Sequence, residues 1–175
     1  MKIYVDCDGV LADWVGQVHS WAEKPRKDWK SWDDFKSFGI TQAELDDMMS
    51  FVSFWDNMDR LPGAAKLWSE LCKLGDKVYV CTRPFPAPNC LYGRAVWLAK
   101  MGISIQQTIF MHDKYQLANS KSILIDDNIE NCELFTARGG HTVLYPQSYN
   151  GTIEVKDKTE FVLDAVRKII GENNG

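Results

Sequence analysis

Cysteines in this 175-residue chain are few and poorly placed for crosslinking: there are five, an odd number, and no two are spaced as CxxC. That pattern suggests neither a disulfide framework nor a zinc site. Reduced thiols in a cytoplasmic protein are the expectation. Long apolar runs are missing too. No stretch reaches the ~18 residues of a membrane span, and the apolar run between Lys2 and Asp6 is too short for a signal-peptide core of ~7–15 residues. Nor is there an excess of basic residues. Twenty Lys and Arg against 24 Asp and Glu leave a net charge of −4. This disfavours a nucleic-acid backbone as the main partner, while leaving room for a local basic pocket. There is no internal repeat and no low-complexity tract.

What is present is an ordinary globular composition, 45% hydrophobic and 25% charged, in a length that suits one domain with a small insertion. Residues 3–5, 78–81, 108–111, 123–125 and 142–145 are short runs rich in β-formers. Their apolar character is continuous rather than alternating, which predicts strands covered on both faces, as in a parallel sheet. Helical patterns lie between them. Residues 64–74 carry an apolar stripe after Pro62 and stop at Gly75. Residues 91–100 stop before Gly102, and 128–138 before a Gly pair. The last helix opens at Asp157 with Glu160 in capping position. Strand and helix in alternation predict a doubly wound, mostly parallel α/β sheet.

Residues 14–60 break that rhythm. They hold no convincing strand, but Thr41 and Glu44 form a capping-box pattern. Nine of the 21 aromatic residues fall here. A small helical cap inserted after the first strand is the expectation, with residues 1–13 and 61–175 as the α/β core. The aromatics admit two readings: the insertion's own small core, or a lid offering a stacking surface for a base.

Three strand ends carry candidate chemistry. The first reads Asp6-Cys7-Asp8-Gly9-Val10-Leu11-Ala12-Asp13. Two carboxylates so spaced can share a hard divalent cation, and Gly9 lets the backbone pass close to a ligand. Asp13 reads as structural. The second end is Cys81-Thr82-Arg83-Pro84, where a hydroxyl can meet a phosphate. The third is Asp126-Asp127-Asn128, adjacent acids that need a cationic partner. Ligands in such sheets bind beyond the carboxyl ends of the strands. Lys114 follows a strand and emerges on that edge, whereas Lys121 precedes one and lies at the opposite end. Acids, a hydroxyl and a lysine together are what phosphoryl transfer needs.

In their order, Asp6-x-Asp8-Gly-Val-Leu-Ala, Thr82, a lysine and Asp126-Asp127 resemble the four motifs of the haloacid dehalogenase-like phosphatase superfamily, and they span nearly the whole chain. Within it, the sequence looks most like the 5′(3′)-deoxyribonucleotidase family. That closer likeness rests on 6–13, on Phe54-Trp55 leading to Leu61-Pro62-Gly63-Ala64, on Val80-Cys81-Thr82-x-Pro84, and on His112-Asp113-Lys114 ahead of Leu124-Ile125-Asp126-Asp127. The family usually has Thr-Ser-Pro where this chain has Thr82-Arg83-Pro84, and a lysine where the nearest candidate here is Arg94.

The resemblance implies a Mg2+ ion held by the Asp6 and Asp126 carboxylates and the Asp8 backbone carbonyl, with Asp127 supporting the metal or orienting the lysine. It implies Asp6 as nucleophile, Asp8 as general acid and then base, and Thr82 and Lys114 on the phosphate oxygens. Arg83, Arg94, Phe54 and Trp55 are the candidate substrate-binding residues. The implied substrate is a small phosphomonoester, foremost a nucleoside monophosphate. A sugar phosphate is the alternative, and a non-catalytic binding domain of the same fold is a third.

Overall fold

The structure, a computed structural model, describes residues 1–152 and 154–173. In chain order its regular elements are β1 (Lys2–Val5), α1 (Trp14–Trp21), α2 (Gln42–Met49), α3 (Val52–Asp56), α4 (Ala64–Leu74), β2 (Lys77–Thr82), α5 (Pro88–Lys100), β3 (Thr108–Phe110), β4 (Ser122–Asp126), α6 (Ile129–Ala137), β5 (His141–Leu144) and α7 (Lys158–Glu172). Helix α5 begins three residues before the sequence pattern suggests, because Pro88 supplies its first turn, where a missing N–H does no harm. The capping box read at the start of α2 is formed; that of α7 is formed by half, because the Glu160 carboxylate pairs with Lys66 at 2.6 Å instead of reaching back to the cap. Thr41 and Glu44 satisfy each other at the start of α2, and the Asp157 carboxylate accepts from the Glu160 N–H at 3.0 Å.

All strand pairings are parallel, in the order β3-β2-β1-β4-β5. The chain runs outward from β1 to β3, then crosses to β4 and β5 on the other side. The order therefore reverses between β1 and β4, and a crevice opens there beyond the strand ends. Alternate side chains serve opposite faces. On one face Ile3, Val5, Val80 and Ile125 pack with Leu67 and Leu71 of α4, Trp97 of α5 and Val162 of α7. On the other, Tyr4, Cys81 and Leu124 pack with Phe135 of α6. Tyr4 there stacks on Tyr79 at 5.8 Å between ring centroids and meets Phe135 edge-on. Helices on both faces of a parallel sheet make the fold doubly wound, and they explain the unbroken apolar runs of the strands.

Among the described residues, 14–60 contribute α1–α3 and a 3-10 turn at Asp34–Phe38, with no strand of the sheet. The segment leaves and rejoins the rest of the chain through paired backbone: the Asp13 N–H donates to the Asp59 carbonyl at 2.8 Å, and the Leu61 N–H to the Leu11 carbonyl at 2.9 Å. Its buried residues, Trp29, Phe35, Leu45 and Phe54 among them, are continuous with the core on the α4 face. The segment is thus set over the carboxyl end of the sheet. No helix among the described residues is long and apolar enough to cross a membrane.

Candidate active site

Register decides which polar side chains meet. Val5 lies level with Val80 and with Ile125. The next residues of β1 and β4 are Asp6 and Asp126, so the two acids emerge side by side, and Thr82 ends the neighbouring β2. Lys114 opens a short 3-10 turn, Lys114–Leu117, four residues after β3. Its Nζ sits 2.7 Å from Asp6 Oδ1 and 2.7 Å from Asp126 Oδ2. Lys114 is only 2% exposed. Burial works against its charge, but Asp6 and Asp126 outweigh it and hold the ammonium above its usual range.

Asp126 is fully buried. Beyond Lys114 it accepts from the Asn128 N–H at 2.9 Å and from Asn131 Nδ2 at 3.1 Å. Asp127 accepts from the Tyr149 hydroxyl at 2.5 Å. Oxygens of Asp6, Asp126 and Asp127 lie within 4.8 Å of one another, so the three could hold a metal ion. Burial pushes Asp6 up to about 7; Lys114 opposes that, and Asp126 and Asp8 add to it. Asp127 is raised as well, by burial first and then by Asp6 and Asp126. Burial and the neighbouring Asp127 push the Tyr149 phenol up, so it remains a donor.

Asp8 is engaged differently. Arg94 grips it with both terminal nitrogens, each 2.6 Å from a carboxylate oxygen, in the planar fork that suits this pair. Arg94 is fully buried, and its guanidinium lies 4.5 Å from the centre of the Trp55 ring. Four carboxylates (Asp6, Asp8, Asp126, Asp127) thus gather here with two cations: Lys114 pairs with Asp6 and Asp126, Arg94 with Asp8, and Asp127 has neither. With all four ionised the site is two positive charges short. A divalent cation would neutralise it, and the oxygen-only donor set of the cluster suits a hard ion such as Mg2+.

A cavity of about 390 Å³ opens above these groups. Asp6, Asp8, Thr82, Arg83, Lys114 and Asp127 give it polar lining, and Trp14, Trp32, Trp55, Phe85 and Met49 give it apolar lining. The volume is that of a small-molecule site. Thr82 Oγ1 is buried and finds no hydrogen-bond partner among the described residues. A buried hydroxyl left so is unfavourable by roughly 1–3 kcal/mol, and this one borders the cavity, where an oxygen-rich ligand would satisfy it.

Most of the residues expected at the site are therefore together: Asp6, Asp8, Thr82, Arg83, Lys114 and Asp127 line the cavity, as does Trp55, and Asp126 lies buried against them. Two candidates are placed elsewhere. Arg94, expected at substrate, is not among the lining residues; a buried guanidinium needs a counter-charge, and Asp8 supplies it. Phe54, expected as a stacking face, is fully buried and packs against Trp21 and Trp55. Lys121 is exposed at the other end of the sheet, its carbonyl accepting from the Lys2 N–H.

Sequence reasoning passed over Asn131 and Tyr149, and it counted Trp14 and Trp32 among the aromatics of a possible lid without singling them out. Asn131 was within reach, three residues after Asn128 on the helix that follows the acid pair. Tyr149 was not: it lies 22 residues from Asp127, in a polar connection without periodicity.

Compared with known proteins, residues 1–170 match the family described as 5′ nucleotidase, deoxy (pyrimidine), cytosolic type C protein. The chain belongs to this deoxy-5′-nucleotidase family. As a family member it is a phosphoric monoester hydrolase with the haloacid dehalogenase-like fold. It is 26% identical over 162 residues, 86% of each chain, to a candidate 5′(3′)-deoxyribonucleotidase of Bordetella pertussis. A Bordetella bronchiseptica relative of the same name is 27% identical over the same length. Among solved structures, a hydrolase from Pseudomonas syringae superposes with a TM-score of 0.55 at 17% identity, covering 97% of this chain and 98% of that one. A phosphonoacetaldehyde hydrolase-like protein from Oleispira antarctica gives 0.54 at 14% identity, covering 98% and 84%. At such identities these neighbours speak for the fold alone.

Proposed function

We propose that this protein is a magnesium-dependent 5′-nucleotidase that dephosphorylates deoxynucleoside monophosphates through an aspartyl-phosphate on Asp6. The observation that carries the reading is the Asp6 carboxylate held beside Lys114 and two further acids, in a cavity that Trp14, Trp32, Trp55 and Phe85 also line. The family match to deoxynucleotidases supports the substrate class. In this reading residues 1–13 and 61–175 form the catalytic core, and residues 14–60 form a cap that contributes Trp14, Trp32 and Trp55 to a base-stacking wall. The cytosolic description of the family supports a cytoplasmic location.

The chain's own residues divide the work as follows. An Asp6 oxygen attacks phosphorus as the ester P–O bond breaks, and Asp8 gives a proton to the departing nucleoside oxygen. Water then attacks phosphorus, Asp8 takes its proton, and the bond from phosphorus to Asp6 breaks to release inorganic phosphate. To exchange protons at the cavity, Asp8 must free one oxygen from the Arg94 fork. Thr82 Oγ1 and Lys114 Nζ hold the non-bridging oxygens, where charge accumulates during transfer. Arg83, on the cavity wall, faces substrate; Arg94 acts on Asp8. Mg2+, when bound by Asp6, Asp126 and Asp127 with the Asp8 carbonyl, supplies positive charge that lets a carboxylate approach a phosphate dianion.

The test is phosphate release across deoxy- and ribonucleoside 5′-monophosphates and sugar phosphates, with Mg2+ and with excess chelator. Deoxynucleotides should be turned over best, and chelation should abolish activity that Mg2+ restores. Undiminished activity in chelator sinks the metal-dependent mechanism; preference for sugar phosphates sinks the nucleotidase reading.

A further inference from the structure

The loop after β5 reaches back across the sheet edge and is bolted there on both sides of Tyr149. Gln147 Nε2 donates to the Gly9 carbonyl at 2.5 Å. Asn150 Nδ2 donates to the Asp127 and Tyr145 carbonyls, each at 2.8 Å. Between these anchors Tyr149 makes two contacts at once. Its hydroxyl donates to Asp127 Oδ2 at 2.5 Å, and its ring packs on Trp32, 4.8 Å between centroids. Trp32 is part of the cavity's aromatic wall and leans in turn on Trp14 at 5.7 Å. Room for the hydroxyl depends on Gly9, which has φ +72°; a Cβ there would overlap the Asp127 carboxylate and lie 2.5 Å from the Tyr149 oxygen.

We propose that Tyr149 is a positioning residue that fixes the Asp127 carboxylate for cation binding and seats the Trp32 side of the substrate cavity. The phenol occupies one Asp127 oxygen and so restricts how the carboxylate can turn towards Asp6 and Asp126. Partners that orient a ligating side chain in this way commonly set metal affinity. Because the ring, not the hydroxyl, supports Trp32, the two tasks separate chemically. The inference rests on the nucleotidase reading only in taking the acid cluster as the cation site.

The experiment is Mn2+ titration of the substrate-free protein, followed by electron paramagnetic resonance, with steady-state kinetics and thermal melting alongside. Tyr149→Phe should weaken Mn2+ binding about tenfold and leave the substrate KM within about twofold at saturating metal; because it also strips the buried Asp127 carboxyl of its hydroxyl partner, the melting temperature of the metal-free protein should fall by a few degrees. Trp32→Leu should raise KM and spare Mn2+ affinity. Tyr149→Leu should do both. Unaltered Mn2+ affinity in Tyr149→Phe overturns the positioning role while leaving the nucleotidase reading intact. Failure of the unaltered protein to bind Mn2+ overturns both. A KM raised in Tyr149→Phe as strongly as in Tyr149→Leu overturns the separation of hydroxyl and ring.

Discussion

The strand-end acids and the segment 14–60 both line one cavity, and they are built on opposite physical plans. On the sheet side Asp6, Asp126 and Asp127, with the cations Lys114 and Arg94, are buried, and Asp8 is partly so. Each depends on a partner, because a buried charge without one is too unfavourable to keep. On the inserted side the material is aromatic, and the same residue type does two jobs. Trp29, Phe35 and Phe54 are buried in the core, whereas Trp14, Trp32 and Trp55 also line the cavity. Charge has one use at such a site, and an aromatic ring has several. The polar half should therefore answer to substitution through the chemical step, and the aromatic half through binding or stability.

The largest effect is expected at Asp6, the proposed nucleophile. Asp6→Asn should lower kcat by on the order of a thousandfold or more with the fold retained; circular dichroism with single-turnover kinetics checks it, and substantial residual turnover would mean that another group attacks phosphorus. Next come the two lysines. Lys114→Ala should slow the reaction on the order of a hundredfold, a clamp's share of transition-state stabilisation. Lys121→Ala, far from the acids, should change the rate by less than about threefold. Steady-state kinetics on both variants settles which lysine serves the site, and a crippled Lys121→Ala enzyme would overturn the assignment.

On the aromatic side, neighbours in sequence should part company. Trp55→Leu removes a lining ring and should raise KM about tenfold, in keeping with ~1–3 kcal/mol for a stacked base; since Trp55 is only 2% exposed and its indole donates to the Met49 carbonyl, the melting temperature should fall as well. Phe54→Leu should instead cost about 1 kcal/mol of stability, seen as a melting-point drop of a few degrees, with KM unchanged. A matching KM increase in both variants would erase the distinction between wall and core.

The smallest effect is a pH dependence in the insertion. His19 is 1% exposed, and its Nε2 accepts from the Trp29 indole N–H at 2.9 Å. Burial lowers its pKa below the ordinary 6.5. The unfolded chain then binds the proton more readily than the folded one. This contribution to stability is full above about pH 6.5 and is lost as pH falls towards the folded-state value. Melting curves followed by tryptophan fluorescence should show that slope, and His19→Gln should flatten it. An equal slope in the variant would assign the effect to other groups.

Much of the strand-end half was legible in the chain. Asp6, Thr82 and Asp126 follow or end unbroken apolar runs, and in a parallel sheet every such end points to the same edge. Lys114 could be separated from Lys121 by the same reasoning, since one follows a strand and the other precedes one. The aromatic half was legible only as an enrichment. Phe54 and Trp55 are adjacent in one short helix, so their side chains point about 100° apart around its axis; no local pattern says which of them faces the cavity.

By itself, then, the sequence determined the doubly wound sheet and the acids that gather at one edge. These follow from apolar runs, caps and chain order, which are local properties. Tertiary structure alone decided that Arg94 grips Asp8 rather than lining the cavity, that Trp14 and Trp32 help build its wall, and that Tyr149 reaches Asp127. Each of these contacts joins residues far apart in the chain: 86 positions separate Arg94 from Asp8, and 117 separate Trp32 from Tyr149. Such pairings are set by packing and by the need of every buried charge for a partner, and no window of sequence carries that information.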